Sequence, residues 1–283
     1  MLNFLKGVLV GAANVIPGVS GGTVALLVGI YERLVGSISA LLNRGEKKPD
    51  HLFFLITVLM GIVVGVVIFA RILTLLLSNA PFFTYLFLIG LIVGSMPVIA
   101  RAQKNMKVKA DRIVLMAFGF VVVALTSFAG SGVRGEFNTE IAAELFGFLK
   151  VSSIEPAYAL WLFLCGFVAI GAMIVPGFSG SALLVAMGEY ASLLYFVDEM
   201  MITPLIFFIL GAVPGIFIFA RIIDHFLRTQ PQRTYYLILG LVMGSVLELV
   251  REASTFTTTN LSLGIVLVAT GVISAYGLGR LGK

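Results

Sequence analysis

Long apolar stretches, separated by short polar segments, follow one another along the chain. In the first half, residues 52–77, 81–100 and 113–129 each approach or exceed the roughly twenty apolar residues that cross a bilayer as one helix. Residues 2–42 are equally apolar but are interrupted at 17–22, which leaves two arms too short to cross. We therefore predict an all-α polytopic membrane protein in which a re-entrant, broken-helix hairpin precedes three transmembrane helices.

The interruption occurs twice, as Pro-Gly-Val-Ser-Gly-Gly at 17–22 and as Pro-Gly-Phe-Ser-Gly-Ser at 176–181. Proline and glycine end a helix, and serine is a good N-cap for the next one. Both copies then resume an apolar helix that reaches a tyrosine, Tyr31 or Tyr190. Broken backbone at membrane depth is tolerated only where it is buried in protein or lines a cavity. These two loops are therefore the first candidates for a binding site.

The second half of the chain repeats the first. Residues 61–95 align without gaps on residues 211–245, and 16 of the 35 positions are identical. The shared glycines, 61, 65, 90 and 94 with their counterparts, are interpreted as close helix contacts. Residues 136–152 place five apolar side chains on one helical face, which predicts an interfacial amphipathic helix: Phe137, Ile141, Leu145, Phe148 and Leu149. We predict a first repeat at 1–130, an external linker with this helix at 131–156, and a second repeat at 157–283.

Composition and charge agree with a membrane protein and orient it. Only 12% of the residues are charged, and the mean hydropathy is +1.09. Placing residues 101–112 in the cytoplasm puts 14 of the 19 lysines and arginines on that side, as the positive-inside rule requires. This predicts two repeats of inverted topology with cytoplasmic N- and C-termini. The net charge of +5 follows the membrane topology, so no nucleic-acid partner is expected.

The predicted site is an anion site, and phosphate is the favoured ligand. Arg71 and Arg221 lie at equivalent positions inside apolar helices, where snorkelling to lipid head groups is the alternative interpretation. The helices after the two loops offer backbone N–H groups and hydroxyls to an anion, although the hydroxyls could serve only as caps. The candidate substrate-binding residues of the loops are Ser20, Gly21, Gly22, Thr23, Ser179, Gly180 and Ser181, with Asn14 on the first side only.

Inverted repeats with broken helices are typical of secondary transporters, so a coupling ion, either a proton or sodium, is expected. Glu32 and Glu189 end the second arms of the hairpins and are the candidate coupling residues. Glu32 precedes Arg33 and is expected to pair with it at the interface. Glu189 has no such neighbour and is the better candidate.

Two alternatives remain open at this point. An ion-coupled carrier of a small soluble anion would use the same site. An intramembrane serine hydrolase is suggested by the Gly-x-Ser-Gly sequences around Ser20 and Ser179, but it needs a histidine base. The chain has only His51, in a loop, and His225, near the end of an apolar stretch. We therefore predict a protein that is not an enzyme, with no catalytic residue, cofactor or metal.

Residues 14–34, with the sequence NVIPGVSGGTVALLVGIYERL, together with residues 176–190, closely resemble the PopT family of polyprenyl-phosphate translocases. The doubled loop is the specific feature, and the resemblance covers nearly the whole chain. It implies a flippase of the bacterial cytoplasmic membrane that returns undecaprenyl phosphate from the outer to the inner leaflet for cell-wall recycling. The identity of the lipid rests on this resemblance alone. The second copy has Gly188-Glu189-Tyr190 where the first has Gly29-Ile30-Tyr31, so the role of Glu189 is less secure than that of the loops.

Overall fold

The computed structural model describes residues 1–15, 19–42, 48–103, 106–128, 139–145, 149–254 and 261–281. Before the linker it forms α1 (Leu2–Val15), α2 (Gly21–Leu27), α3 (Tyr31–Leu41), α4 (Lys48–Asn79), α5 (Pro81–Ala102) and α6 (Ala110–Phe128). A hairpin of β1 (Thr139–Leu145) and β2 (Leu149–Ile154) follows. The remainder forms α7 (Pro156–Ala172), α8 (Gly180–Ala186), α9 (Tyr190–Asp198), α10 (Ile202–Thr229), α11 (Pro231–Ser254) and α12 (Leu261–Leu281).

The predicted spans of the first half agree with the helices to within a few residues. Across the described part of the chain, five helices are long and apolar enough to cross a membrane: α4, α5, α10, α11 and α12. The count rises to seven if the bent pairs α2–α3 and α8–α9 each count as one span. The prediction of a mostly helical protein with several candidate membrane spans is therefore confirmed for the described residues.

Each bent pair contains a sharp turn that the sequence analysis did not predict. The axes of α2 and α3 differ by 116°, and those of α8 and α9 by 109°. Gly29 and Gly188 lie at these turns with φ angles of +69° and +78°, a conformation that glycine adopts without steric cost. The N–H of the following residue, Ile30 or Glu189, returns to a carbonyl five positions back. Both short helices thus end in a Schellman motif.

Glycine contacts of the same kind join the helices in both halves. A Cβ on Gly61 would clash with the carbonyl of Phe4, and one on Gly211 with the carbonyl of Phe163. These contacts pack α4 on α1 and α10 on α7. In the same way Gly90 of α5 lies against α12, and Gly240 of α11 lies against α6. The prediction that the repeated glycines mark close helix contacts is confirmed.

The prediction of an amphipathic helix over 136–152 is wrong for the described residues, because 139–145 and 149–154 form the antiparallel hairpin. Ile141, Ala143 and Leu145 alternate with polar or small residues, so this short segment also fits the period of a strand. The backbone N–H of Lys150 donates to the carbonyl of Met200, just before α10, and the N–H of Ser152 donates to the hydroxyl of Thr203 in its first turn. This tertiary anchor favours the strand. Phe137 and Phe148 lie outside the described residues.

Candidate functional site

The two repeated loops contact each other. The N–H of Gly177 donates to the hydroxyl of Thr23 over 3.0 Å, and the hydroxyl of Ser20 donates to the carbonyl of Val175 over 3.4 Å. The hydroxyl of Tyr31 donates to the carbonyl of Ile174 over 3.1 Å. Segments more than 140 residues apart in sequence are thus joined by hydrogen bonds. The structure therefore brings both predicted loop sites to one place.

The first loop is closed against the rest of the protein. All seven residues of α2 are buried. The side chain of Ser20 accepts from the N–H of Gly22 over 3.2 Å, and the amide oxygen of Asn14 accepts from the N–H of Gly21 over 3.1 Å. The N–H groups of Gly21 and Gly22, which were predicted to bind an anion, therefore already donate to Asn14 and Ser20. For α2, capping describes the observed role of Ser20.

The second loop is more open. Within α8, only Gly180 and Leu184 are buried, and Ser181 is exposed. The oxygen of Ser179 accepts from the N–H of Ala182 over 3.3 Å and lies 2.8 Å from the oxygen of Ser181. The two hydroxyls are thus adjacent and border open space. The two copies of the motif differ in exposure although they share a sequence pattern.

A pocket of about 210 Å³ lies where the loops meet. Five of the predicted site residues line it: Asn14, Ser20, Ser179, Gly180 and Ser181. Gly22 and Thr23 lie behind it, since Thr23 binds Gly177 and a Cβ on Gly22 would press on the carbonyl of Ile174. The residues that line this loop pocket carry no formal charge. It offers hydroxyl and amide groups in an otherwise apolar region.

One wall of the loop pocket is asymmetric. Asn14 approaches the first residue of α2, and Met173 approaches the first residue of α8. A Cβ on Gly21 or Gly180 would overlap these side chains, so a larger residue at either position would displace them. The first side thus presents an amide where the second side presents a thioether. Asn14 and Met173 thus occupy corresponding positions in the two copies.

Arg71 and Arg221 do not line the loop pocket. Both are exposed, on α4 and α10. Helices α1 and α4 run in the same direction, because Gly61 packs on Phe4 and Gly65, four residues later, packs on Val8, also four residues later. Arg71 lies six residues after Gly65, and Asn14 lies six residues after Val8, which is about 9 Å along each helix. Arg71 is therefore level with Asn14. By the same steps Arg221 is level with the end of α7.

Glu189 is fully buried, with 0% of its surface exposed. Its two carboxylate oxygens accept hydrogen bonds from the hydroxyl of Tyr158 over 2.9 Å and from the indole N–H of Trp161 over 3.0 Å. Both donors lie on α7, and neither was a predicted site residue. Aromatic residues with a polar group, at a helix spacing of three, were the sequence signal that could have identified them.

Glu32 does not pair with Arg33 as the sequence analysis expected. Its carboxylate accepts from the hydroxyl of Tyr235 over 2.8 Å, while the guanidinium of Arg33 lies 4.2 Å from the ring centre of Phe54. Adjacent residues on a helix point in different directions, so sequence adjacency does not make an ion pair. Glu32 also lines a cavity of about 490 Å³ with several residues that were not predicted as site residues, among them Arg101, Tyr276 and Arg280.

The histidines lie elsewhere. His51 contacts the hydroxyl of Ser37 over 3.0 Å, and the ring of His225 packs edge-on against Phe226. Both histidines, Ser20 and Ser179 are in the described part of the chain, and no serine–histidine pair forms at the loops. Nothing in the loop geometry therefore supports the hydrolase interpretation.

The chain matches the undecaprenyl phosphate translocase-like family over residues 10–266, which include both loops, both arginines and both glutamates. The chain belongs to this family. It is 32% identical over 254 residues to a protein of Vibrio cholerae serotype O1 named polyprenyl-phosphate transporter, covering 86% of this chain and 75% of that one. It is 28% identical over 289 residues to a protein of the same name in Staphylococcus aureus, covering 99% and 96%. No solved structure gives a significant match.

Membership of this family confirms the resemblance found in the sequence. Both relatives are named as transporters, which agrees with a protein that is not an enzyme. The family match and the apolar helices support a membrane transporter of polyprenyl phosphate.

Proposed function

We propose that the protein is a flippase that returns undecaprenyl phosphate from the outer to the inner leaflet of the bacterial cytoplasmic membrane, with the phosphate passing through the loop pocket. The observation that carries this proposal is the meeting of the two loops, joined by the hydrogen bond between Gly177 and Thr23. The family relationship supports the lipid. The polar pocket inside an apolar protein supports a route for its head group.

The chemistry of the pocket suits transient binding of phosphate. The hydroxyls of Ser179 and Ser181 and the amide of Asn14 can donate to phosphate oxygens. With no fixed cation in the loop pocket, the anion is held by neutral hydrogen bonds, each of about 0.5–1.5 kcal/mol. Such binding lets the head group leave again, as transport requires.

The two halves act as inverted repeats in this proposal. Equivalent glycine contacts hold α1 on α4 and α7 on α10, and the distribution of basic residues supports opposite orientations of the halves. In the observed arrangement the first loop is closed and the second is more open. Exchanging these two states would expose the pocket alternately to the two sides of the membrane.

Arg71 and Arg221 supply the positive charge that the loop pocket lacks. Each lies at the depth of the loops on an exposed helix face. An arginine in such a position is costly in lipid unless it meets a partner, and phosphate matches its planar fork. We assign them to capture of the head group beside the pocket, Arg71 from the outer leaflet and Arg221 at the inner one.

Glu189 is the proposed proton-coupling residue, with Glu32 as the second candidate. A fully buried carboxylate that accepts hydrogen bonds from the neutral donors Tyr158 and Trp161 is our candidate to bind the coupling proton. Proton binding at this position can therefore bias the state of the second hairpin.

Reconstitution tests the proposal. Purified protein is placed in vesicles that contain undecaprenyl phosphate, and a membrane-impermeant probe reports the phosphate exposed on each leaflet. We expect the protein to move the lipid between leaflets, while protein-free vesicles keep the initial distribution. Movement of inorganic phosphate without movement of the lipid would replace the proposal by the carrier of a soluble anion.

A further inference from the structure

An apolar groove runs along α10 between α6 and α11. It has a volume of about 710 Å³, and its walls are almost entirely aliphatic or aromatic: Val114, Leu115, Phe219, Ile222, Ile223, Phe226, Leu237 and Ile238. Ile222 and Phe226 are exposed on this surface. In a membrane, the groove opens sideways to the acyl chains.

One end of the apolar groove reaches the two loops in the interior of the protein. Tyr31 and Val175 close it there. The hydroxyl of Tyr31 binds the carbonyl of Ile174, and the carbonyl of Val175 accepts from Ser20, which lines the loop pocket. A lining residue of the groove, Val175, is thus hydrogen-bonded to a lining residue of the loop pocket, Ser20. A molecule that occupied both would enter the protein from the side.

The opposite end of the apolar groove, away from the loops, leads into a polar cavity of about 530 Å³. We call this cavity the basic mouth. Its lining residues are Lys109, Asp111, Arg112, Thr229, Gln230, Pro231, Gln232 and Arg233. Asp111, Gln230 and Arg233 line both cavities. By the distribution of basic residues, this end is the predicted cytoplasmic one.

The charges of the basic mouth favour an anion. Its lining includes three cations, Lys109, Arg112 and Arg233, and one carboxylate, Asp111. Arg233 donates to Asp111 over 2.9 Å and to the side chain of Gln230 over 3.0 Å. Arg112 donates through Nη1 to the carbonyl of Lys107, but its Nε is hidden from solvent without a partner in the described structure. Arg112 lines the mouth, and a guanidinium is a strong hydrogen-bond donor to phosphate.

The corresponding position in the other half carries no charge. Gly90 packs on Val268 where Gly240 packs on Met116, so α6 matches α12 with an offset of 152 residues, and α5 matches α11 with 150. Asp111 and Arg112 then correspond to Leu263 and Gly264, and Arg233 corresponds to Phe83. Packing of the repeats therefore does not require the basic mouth. It is a property of the predicted cytoplasmic end alone.

We infer that the apolar groove and the basic mouth together bind one polyprenyl phosphate on the cytoplasmic side, with the isoprenoid chain in the groove and the phosphate at the mouth. An amphiphile with one anionic end and a long apolar chain matches the observed order of polar and apolar walls. This inference rests on the proposed function and adds the site where the lipid is held before it leaves the protein. Sideways opening lets the chain remain in the bilayer while the head group moves.

Photocrosslinking tests the inference. A polyprenyl phosphate with a diazirine in its chain is added to the full-length protein in vesicles of phosphatidylethanolamine and phosphatidylglycerol, and labelled residues are identified by mass spectrometry. We expect labels on α6 and α10 within the groove. Ile222→Trp should reduce this labelling, whereas Ile218→Trp, one turn earlier on the same helix with similar exposure (44% against 48%), should not.

The head-group end has its own matched pair. Arg112→Gln should weaken binding of undecaprenyl phosphate roughly tenfold or more, because a charge-assisted hydrogen bond is lost. Lys107→Gln removes a neighbouring exposed charge that lines neither cavity and should change binding little. Native mass spectrometry of lipid complexes measures both.

The outcomes separate this inference from the proposed function. Equal labelling of the wild type and Ile222→Trp, in protein that still moves the lipid, would overturn the groove while the flippase stands. Displacement of the probe by phosphatidylglycerol as readily as by undecaprenyl phosphate would also overturn it, because the site would then hold any anionic lipid. A wild type that binds the lipid here without moving it would contradict the proposed function alone.

Discussion

The backbone N–H of Gly177 and the hydroxyl of Thr23 form a hydrogen bond of 3.0 Å between the two copies of the loop. Gly177 has a φ angle of +83°, and a Cβ there would clash with the backbone of α11 at Leu241 and Val242. The second loop is therefore fixed on both sides, by α11 and by the first loop. This contact defines the back of the loop pocket.

Thr23→Val should destabilise the protein, because it leaves the buried N–H of Gly177 without an acceptor. An unsatisfied buried donor costs about 1–3 kcal/mol, which thermal unfolding in detergent would show as a lower Tm. Thr23→Ser keeps the hydroxyl and should remain close to the wild type. Thr74→Val is the control, since the hydroxyl of Thr74 is exposed and binds its own helix. Equal stability of the Val and Ser variants at position 23 would show that the contact is unimportant.

Glu189→Gln should remove the dependence of transport on a proton gradient. The side chain keeps its shape and can still accept from Tyr158 or Trp161, but it has no carboxylate to carry a proton. Transport is measured in vesicles with and without an imposed pH difference. Glu155→Gln, at an exposed position, should retain the dependence.

Tyr158→Phe is the control for a purely structural effect of changing Glu189. It removes one hydrogen bond to Glu189 but leaves the carboxylate, so transport should still respond to the gradient. If Glu189→Gln folds normally and responds to the gradient as the wild type does, another residue carries the coupling, and Glu32 becomes the first candidate.

Arg71→Ala and Arg221→Ala should each abolish net movement of the lipid. Lysine should rescue poorly at both positions, because an ammonium keeps the charge but loses the planar fork that matches phosphate. The defects should differ: loss of Arg71 impairs capture from the outer leaflet, and loss of Arg221 impairs exchange at the inner one. Leaflet assays that start from each side distinguish these effects, with protein abundance measured in parallel. Near-normal transport by well-folded alanine variants would reduce both arginines to snorkelling residues.

Inverted topology predicts that Lys107 and Glu155 lie on opposite sides of the membrane. Single cysteines at these exposed positions, in a Cys165→Ala background, should react with an impermeant reagent from the cytoplasm and from outside, respectively. Labelling from the same side would remove the inverted repeat from the account.

Much of the helical framework was predictable because it depends on local signals. Pro81 begins α5 at the residue where the sequence placed it, and the repeated glycines form the expected helix contacts. The turns at Gly29 and Gly188 were present in the sequence as a repeated glycine before the last residues of each arm. They were missed because a glycine within an apolar stretch fits a continuous helix as well as a Schellman motif.

The parts that depend on distant contacts were less predictable. The hairpin at 139–154 is anchored by Met200 and Thr203, some 50 residues further along the chain. Glu189 is surrounded by Tyr158 and Trp161 from α7, and the sequence shows no relation between them. The loops themselves were identified from Pro, Gly and Ser, but their mutual contact and their unequal exposure are properties of the packed structure.

The central claim is that the phosphate passes through the loop pocket, and obstruction of that pocket tests it most directly. Ser181 is exposed and lines the pocket, so Ser181→Trp should fill the space without disturbing the core. Ala186→Trp, exposed at the end of the same short helix, is the matched control. The account predicts that vesicles with Ser181→Trp keep undecaprenyl phosphate in its starting leaflet, whereas Ala186→Trp moves it as the wild type does. Normal transport by a folded Ser181→Trp protein would contradict the account.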